Sequence, residues 1–297
     1  MTEIEIYGTE KTVSIPSSWD EMSPEQVQYI FRTYDRCLRN GGSPLEFNIR
    51  VLFHLLGAKF SRNSLLLERL SGTELTALDE NVTMLCDRCL GFLLEVDSGT
   101  HQCRLSFDSV ANPLPTVRSG HFRLIGPSDS LQDLTFGEFR HAGVAMQSFF
   151  RTGKMYDLDE CLVFLYRRRC SRANRAGRRV VSVGMENVER ETKLVSALAP
   201  WQKNLILLWF AACLKFLQNS AVAINGERVE LGRMFGDSDG ERSAYSFGWN
   251  DLAVQIAKDR TVGNIERVDE EPLFSILGIM WHNFKEQKRY EEISKAH

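Results

Sequence analysis

The chain has 297 residues, 43% apolar and 25% charged, a composition typical of a folded globular protein that argues against disorder. Its formal net charge of −3 and pI near 6.1 exclude a general attraction to nucleic acid or anionic lipid, so such binding requires a local patch. The seven cysteines, at 37, 86, 89, 103, 161, 170 and 213, are odd in number and scattered. They indicate a reducing cytoplasm and no disulfide framework.

Residues 2–15 predict a small β-hairpin. Two pairs of apolar residues with strand spacing flank the turn-prone stretch 8–11, namely Ile4 with Ile6 and Val13 with Ile15. An isolated hairpin is only marginally stable. We therefore expect it either to pack on its own chain or to add to a sheet of a neighbouring subunit. The same N-terminal residues lack the basic start and apolar run of a secretory signal.

Helices follow in the N-terminal region. Ser23, Pro24 and Gln26 form a capping-box start for a helix over 24–39, which Gly41-Gly42 stops. Ser43-Pro44 begins a second helix through Leu56, and Thr73 opens a third. We place the N-terminal domain at 1–97. The Gly- and Pro-rich segment 98–130, with strand-like pieces at 103–107 and 121–125, is predicted to be a linker or a small β segment.

The region 131–297 is predicted to form a helical domain. Thr135 and Glu138 form a second capping box, for a helix that reaches Arg151, and Asp157 is predicted to cap the next helix. Further helices are predicted over 186–199, 247–259 and 272–290, while 235–241 is rich in Gly and Asp. Asn225-Gly226 between short apolar runs is a strong turn signal, which predicts a second β-hairpin near 222–231.

The segment 200–217 is predicted to be the central buried helix of this domain. Ten consecutive residues, 205–214, are apolar, and Pro200 suits the first helical turn. The run is shorter than the roughly 20 residues that a membrane span needs. Taken together, the patterns predict a mainly α fold with helical bundle-like domains, small β-hairpins at the N-terminus and near 222–231, and no membrane segment.

An arginine-rich segment at 166–179 is the one sharp electrostatic feature. It contains seven arginines and no acidic residue. If the segment is helical, four of them fall at spacings of 4, 3 and 4 on one face: Arg168, Arg172, Arg175 and Arg179. Three interpretations stay open, namely a solvated loop, a contact with an acidic protein surface, and a contact with nucleic-acid phosphates. The segment lacks the interleaved aromatic residues that stack on bases.

The candidate metal patterns are incomplete. Cys86, Cys89, His101 and Cys103 could ligate zinc, but the two leading cysteines also fit a buried helical stripe. Glu138 and His141 have the spacing of half a di-iron site, and no second such pair exists in the sequence. The run 237–241 resembles the start of a calcium loop, but position twelve of that loop is Gly248 instead of glutamate. With no phosphate fingerprint, nucleophile elbow or His-Glu-x-x-His, we expect a non-enzyme without metal or cofactor.

The order of several short segments resembles uncharacterised proteins encoded among the tail and virion genes of tailed bacteriophages and prophages. The segments are 15–21 (IPSSWDE) with 23–25 (SPE), 134–139 (LTFGEF), 165–167 (LYR), and a closing set of Trp249, Ala257, 263–265 (GNI), Val268 and Leu277. The resemblance implies a virion component or tail-assembly factor in the host cytoplasm or the virion. Its partners would be other phage proteins or further copies of itself. The alternative is a nucleic-acid-binding accessory protein that uses the segment 166–179.

Overall fold

A computed structural model describes residues 1–5, 12–39, 43–57, 76–96, 99, 103–181, 187–224, 226–235, 254, 256–258 and 262–295. These residues form mostly α-helices with small antiparallel sheets, so the prediction of a mainly α protein is confirmed. The chain divides into two compact units, Met1–Ser109 with Pro200–Leu205, and Val110–Ala199 with Ile206–His297. The division into 1–97, 98–130 and 131–297 stays a prediction.

The first unit begins with the expected hairpin. Strands β1 (Thr2–Glu5) and β2 (Thr12–Ile15) pair antiparallel, with Thr2 opposite Ile15. The predicted turn at 8–11 lies outside the described residues. Three helices follow, α1 (Pro24–Cys37), α2 (Pro44–Leu55) and α3 (Thr76–Leu90), and then the paired strands β3 (Leu94–Val96) and β4 (Cys103–Leu105).

Local signals explain where these helices begin. The Ser23 side chain accepts a hydrogen bond from the Gln26 N–H at 3.3 Å, and the Gln26 side chain accepts one from the Ser23 N–H at 2.8 Å. The predicted capping box is therefore confirmed. Ser43 likewise caps α2 through the Leu45 N–H. The predicted stop at Gly41-Gly42 and the predicted start at Thr73 lie outside the described residues.

The second unit contains a three-stranded antiparallel sheet. Its strands are β5 (Thr116–Ser119), β6 (Phe122–Ile125) and β7 (Arg167–Arg168), in that order. The strand predicted within 121–125 is confirmed as β6, whereas β5 and β7 were not predicted. The sheet therefore joins the end of the predicted segment 98–130 to the start of the arginine-rich segment.

Two helices, α4 (Phe136–Thr152) and α5 (Met155–Leu165), connect β6 to β7. The capping box of Thr135 and Glu138 is confirmed, and Gly153, with φ of 67°, ends α4. The prediction that Asp157 caps α5 is wrong, since Lys154 stands at the N-cap. The Asp157 carboxylate instead accepts hydrogen bonds from the hydroxyls of Ser148 and Thr152.

The predicted buried helix is confirmed as α7 (Pro200–Asn219), which follows α6 (Val188–Ser196). Every residue of the run 205–214 is buried except Leu208, which is half-buried. The indole N–H of Trp209 donates to the Val110 carbonyl at 3.1 Å, so this large side chain is buried with its polar atom satisfied. No single described helix is long and apolar enough to cross a membrane; one bent pair, α6 with α7, meets the length and composition test only when counted together.

The C-terminal part begins with a second hairpin, β8 (Ala221–Ile224) and β9 (Glu227–Glu230), which confirms the prediction near 222–231. Helices α8 (Ile265–Glu270) and α9 (Leu273–Lys295) end the described chain, and α8 was not predicted. The predicted helix at 247–259 and the stretch at 235–241 lie almost wholly outside the described residues. Short 3-10 turns occur at Trp19–Glu21, Asp129–Leu131 and Leu231–Phe235.

Candidate functional site

The arginine-rich segment folds back on itself as a hairpin instead of forming a helix. After β7, Arg169 bridges Val180 in antiparallel fashion. The Cys170 N–H donates to the Arg179 carbonyl at 2.9 Å, and the Val181 N–H donates to the Arg168 carbonyl at 2.9 Å. The segment is therefore not helical, and the four predicted arginines do not share one helical face.

Two arginines of this hairpin are buried beside one carboxylate. Arg167 and Arg178 are 4% and 3% exposed, and both form ion pairs with Glu138 at the start of α4. One Glu138 oxygen also accepts the Thr135 N–H at 2.9 Å, and the Asn174 amide donates to the other at 3.3 Å. Glu138 therefore has two roles: it completes the capping box of α4, and it supplies the negative charge that pairs with the two buried arginines of the hairpin.

Backbone carbonyls also accept hydrogen bonds from both buried arginines. Arg178 donates to the carbonyls of Leu165 at 2.7 Å and Ile125 at 3.0 Å, and Arg167 donates to that of Val181 at 3.1 Å. Within the described chain, the Nε atoms of both arginines are buried without an acceptor. Burial, followed by mutual repulsion with Arg178, lowers the pKa of Arg167 to about 9; burial lowers the pKa of Arg178 to about 10. Both guanidiniums still carry their charge at neutral pH.

The four predicted contact arginines have different surroundings. Arg168 makes a two-pronged ion pair with Glu191 of α6, at 3.1 and 2.5 Å, and Arg175 pairs with Glu271. Arg172 and Arg179 are exposed, and no ion pair of the described residues includes them. Two of the four, Arg168 and Arg175, therefore form ion pairs within the chain. The predicted contact of the four with a partner or phosphate stays a prediction.

The residues of the di-iron pattern diverge. Glu138 faces the buried arginines, whereas the His141 ring stacks on Phe164 with centroids 5.0 Å apart. Burial, aided by Arg140, lowers the pKa of His141 against the opposing effect of Asp269. Arg140 itself holds Asp269 of α8 in a two-pronged pair at 3.1 and 2.6 Å. Glu138 and His141 thus have separate structural contacts.

The two leading cysteines of the zinc pattern are buried in the core. Cys86 and Cys89 are 1% and 2% exposed on α3, and burial raises the pKa of the Cys86 thiol to about 11 and also raises that of Cys89. Neutral thiols are poor metal ligands. His101 and the calcium-like run 237–241 lie outside the described residues. Where the chain is described, no three His, Cys, Asp or Glu side chains are grouped to hold a metal ion.

The sheet carries three exposed arginines that the sequence reasoning did not connect. Arg118 on β5 stands directly opposite Arg123 on β6. Ile125 stands opposite Arg167, and Leu124 opposite Arg168, where the pairing of β6 with β7 ends. Arg169 is the next residue, and by strand alternation its side chain lies on the same face as those of Arg167, Ile125 and Arg123. Opposite residues of antiparallel strands share a face. The three exposed side chains of Arg118, Arg123 and Arg169 therefore form one row, here called the arginine row.

An apolar corner lies where α4 turns into α5. Phe150 is 48% exposed, Met155 47% and Tyr156 56%, and the left-handed Gly153 makes the turn between them. This apolar corner, defined as Phe150, Met155 and Tyr156, comprises three large side chains that are each about half exposed.

Comparison with known proteins found no matching family, no matching curated protein and no matching solved structure.

Proposed function

We propose that the chain is a non-enzymatic structural or assembly protein of a phage-like particle, which acts through contacts with other proteins. The apolar corner is the observation that carries the proposal. Exposed apolar side chains clustered at one place mark protein interaction sites more often than scattered ones do. Burying a large apolar side chain completely contributes about 1.5–3 kcal/mol, so covering three that are half exposed contributes roughly 3 kcal/mol.

The surroundings of the corner support a role as a rigid contact point. Capping at Thr135 and the turn at Gly153 define the ends of α4, and Asp157 ties the start of α5 back to Ser148 and Thr152. A pre-ordered surface loses less conformational entropy when it binds. The segment resemblance to tail and virion proteins points to particle proteins or further copies of the chain as partners, in the host cytoplasm or the virion.

We further propose that the helices around α7 form a bundle-like domain. Phe139 of α4 meets Phe210 of α7 edge to face, with ring centroids 6.1 Å apart, and both side chains are fully buried. Such contacts pack helix against helix.

The test replaces the corner in the full-length chain. The variant Phe150→Ser/Met155→Ser/Tyr156→Ser is compared with the control Tyr290→Ser/Ile293→Ser, whose residues are 66% and 49% exposed on α9. We expect wild type and control to self-associate in sedimentation velocity, or to copurify with particle proteins from phage-producing cells. The corner variant should keep its circular dichroism spectrum and lose that association. Monomeric wild type without particle proteins, or an unaffected corner variant, contradicts the proposal.

A nucleic-acid-binding accessory role through the segment 166–179 is the second candidate. The observation in its favour is that Arg172 and Arg179 are exposed and belong to no ion pair among the described residues. If the variant Arg172→Gln/Arg179→Gln binds a DNA duplex as tightly as wild type does, this candidate is wrong.

A further inference from the structure

We propose that the arginine row binds the phosphate backbone of nucleic acid, independently of sequence and independently of the protein contacts proposed above. The row comprises Arg118 on β5, Arg123 on β6, and Arg169, which directly follows β7 in the second unit. Neighbouring strands lie about 4.8 Å apart, so the row spans roughly 10 Å at the backbone. Phosphates follow one another about every 3.4 Å of axis along a duplex strand, so three guanidiniums can reach consecutive phosphates.

The charge of the row is not compensated within the described chain. Four other arginines of this unit meet carboxylates: Arg167 and Arg178 meet Glu138, Arg168 meets Glu191, and Arg175 meets Glu271. No ion pair of the described residues includes a member of the row. Arg123 makes a contact with a neutral side chain, since its guanidinium donates to the Thr116 hydroxyl at 3.3 Å.

Such an arrangement destabilises the sheet unless a counter-charge is supplied. Like charges directly opposite one another on antiparallel strands are unfavourable, and Arg118 with Arg123 is such a pair. The opposite face of the sheet does not have this problem. There Val117 and Leu124 are buried, and the Ser119 hydroxyl donates to the Leu194 carbonyl of α6. An external polyanion would remove the repulsion on the exposed face.

The chemistry of the face favours nucleic acid over an acidic protein. Protein interfaces have an apolar core, whereas protein–DNA interfaces are more polar and much more positive. The exposed residues of this face are arginines, with half-buried Thr116 and Ile125 beside them, and at one end of the face Arg167 is buried against Glu138. Phe122 belongs to the opposite face. Arginine forks match phosphate oxygens in pairs. No aromatic side chain of β5, β6 or β7 lies on this face to stack on a base, so we expect contacts to the backbone alone.

The experiment measures binding of the full-length chain to a labelled mixed-sequence DNA duplex by fluorescence anisotropy. Three phosphate contacts give a slope of log affinity against log salt of about −2.7, so raising salt from about 50 to about 200 mM should weaken binding about 40-fold. The variant Arg118→Gln/Arg123→Gln/Arg169→Gln should lose at least tenfold in affinity and most of the slope. Arg118→Lys/Arg123→Lys/Arg169→Lys keeps the charges and should retain most of both.

Two controls separate the row from general charge. Arg151→Gln/Arg190→Gln/Lys193→Gln removes three exposed charges from the same unit and should bind within about threefold of wild type. Arg172→Gln/Arg179→Gln should behave in the same way. No binding at about 50 mM salt, equal binding by the glutamine row variant, or a loss confined to the 172/179 variant overturns the proposal. So does binding of labelled polyglutamate with no binding of DNA, since that result identifies an acidic protein partner.

Discussion

Replacing Glu138 by glutamine would test whether the buried charge cluster holds the arginine-rich hairpin in place. Glutamine also serves at the third position of a capping box, so the start of α4 should persist. The substitution removes the negative charge and little else. It leaves Arg167 and Arg178, 4% and 3% exposed, without the carboxylate with which both of them pair.

The expected loss of stability follows from this burial. Removing one partner of a buried ion pair costs about 3–5 kcal/mol, because the remaining charge has lost its water and gained nothing. Here one substitution strands two guanidiniums, so we expect the upper part of that range, about 4–5 kcal/mol. With a urea dependence of about 2 kcal/mol per M, the midpoint of unfolding should fall by about 2 M. Urea titration at pH 7, followed by circular dichroism, measures it.

Glu271→Gln is the matched control, since it removes the same charge from the same hairpin's surroundings. Its partner Arg175 is 42% exposed at the side chain, and exposed ion pairs contribute only about 0.2–1 kcal/mol. The control midpoint should therefore shift by about 0.5 M or less. Equal midpoints for the Glu138→Gln and Glu271→Gln proteins would refute the assignment of a stabilising role to the buried cluster.

Three further outcomes are expected. Gly126→Ala should destabilise the protein by about 1–3 kcal/mol in thermal unfolding, because a Cβ there would lie 2.6 Å from ring atoms of the buried Tyr166. The control Gly143→Ala on α4 should instead stabilise the protein by about 0.4–1 kcal/mol, because a Cβ there meets nothing within 4 Å. At pH 8 the Cys86 thiol, with its pKa raised to about 11 by burial, should remain protonated and react with a disulfide reagent far more slowly than the half-buried thiols; equal rates by mass spectrometry would contradict this. Phe210→Ala should cost about 3–5 kcal/mol in urea, since the ring is fully buried in α7, and a loss below about 1 kcal/mol would show that the helix is not the core.

The sequence by itself determined the features that depend on near neighbours in the chain. Ten apolar residues in a row leave α7 no polar face, so burial follows from composition alone. The capping boxes at Ser23 and Thr135 are complete within four residues, and they locate the starts of α1 and α4. The hairpin at 222–231 follows from its turn residues in the same way.

Only the tertiary structure decided what the arginines do. A guanidinium binds whichever carboxylate the fold brings near, and Glu138, Glu191 and Glu271 come from three different helices or their ends. The prediction of one shared face required the segment to be helical, as it concerned Arg168, Arg172, Arg175 and Arg179. The segment instead pairs with β6 and folds back as a hairpin. The arginine row likewise exists only through strand register, because Arg118 and Arg169 are far apart in sequence and adjacent strands alone align them.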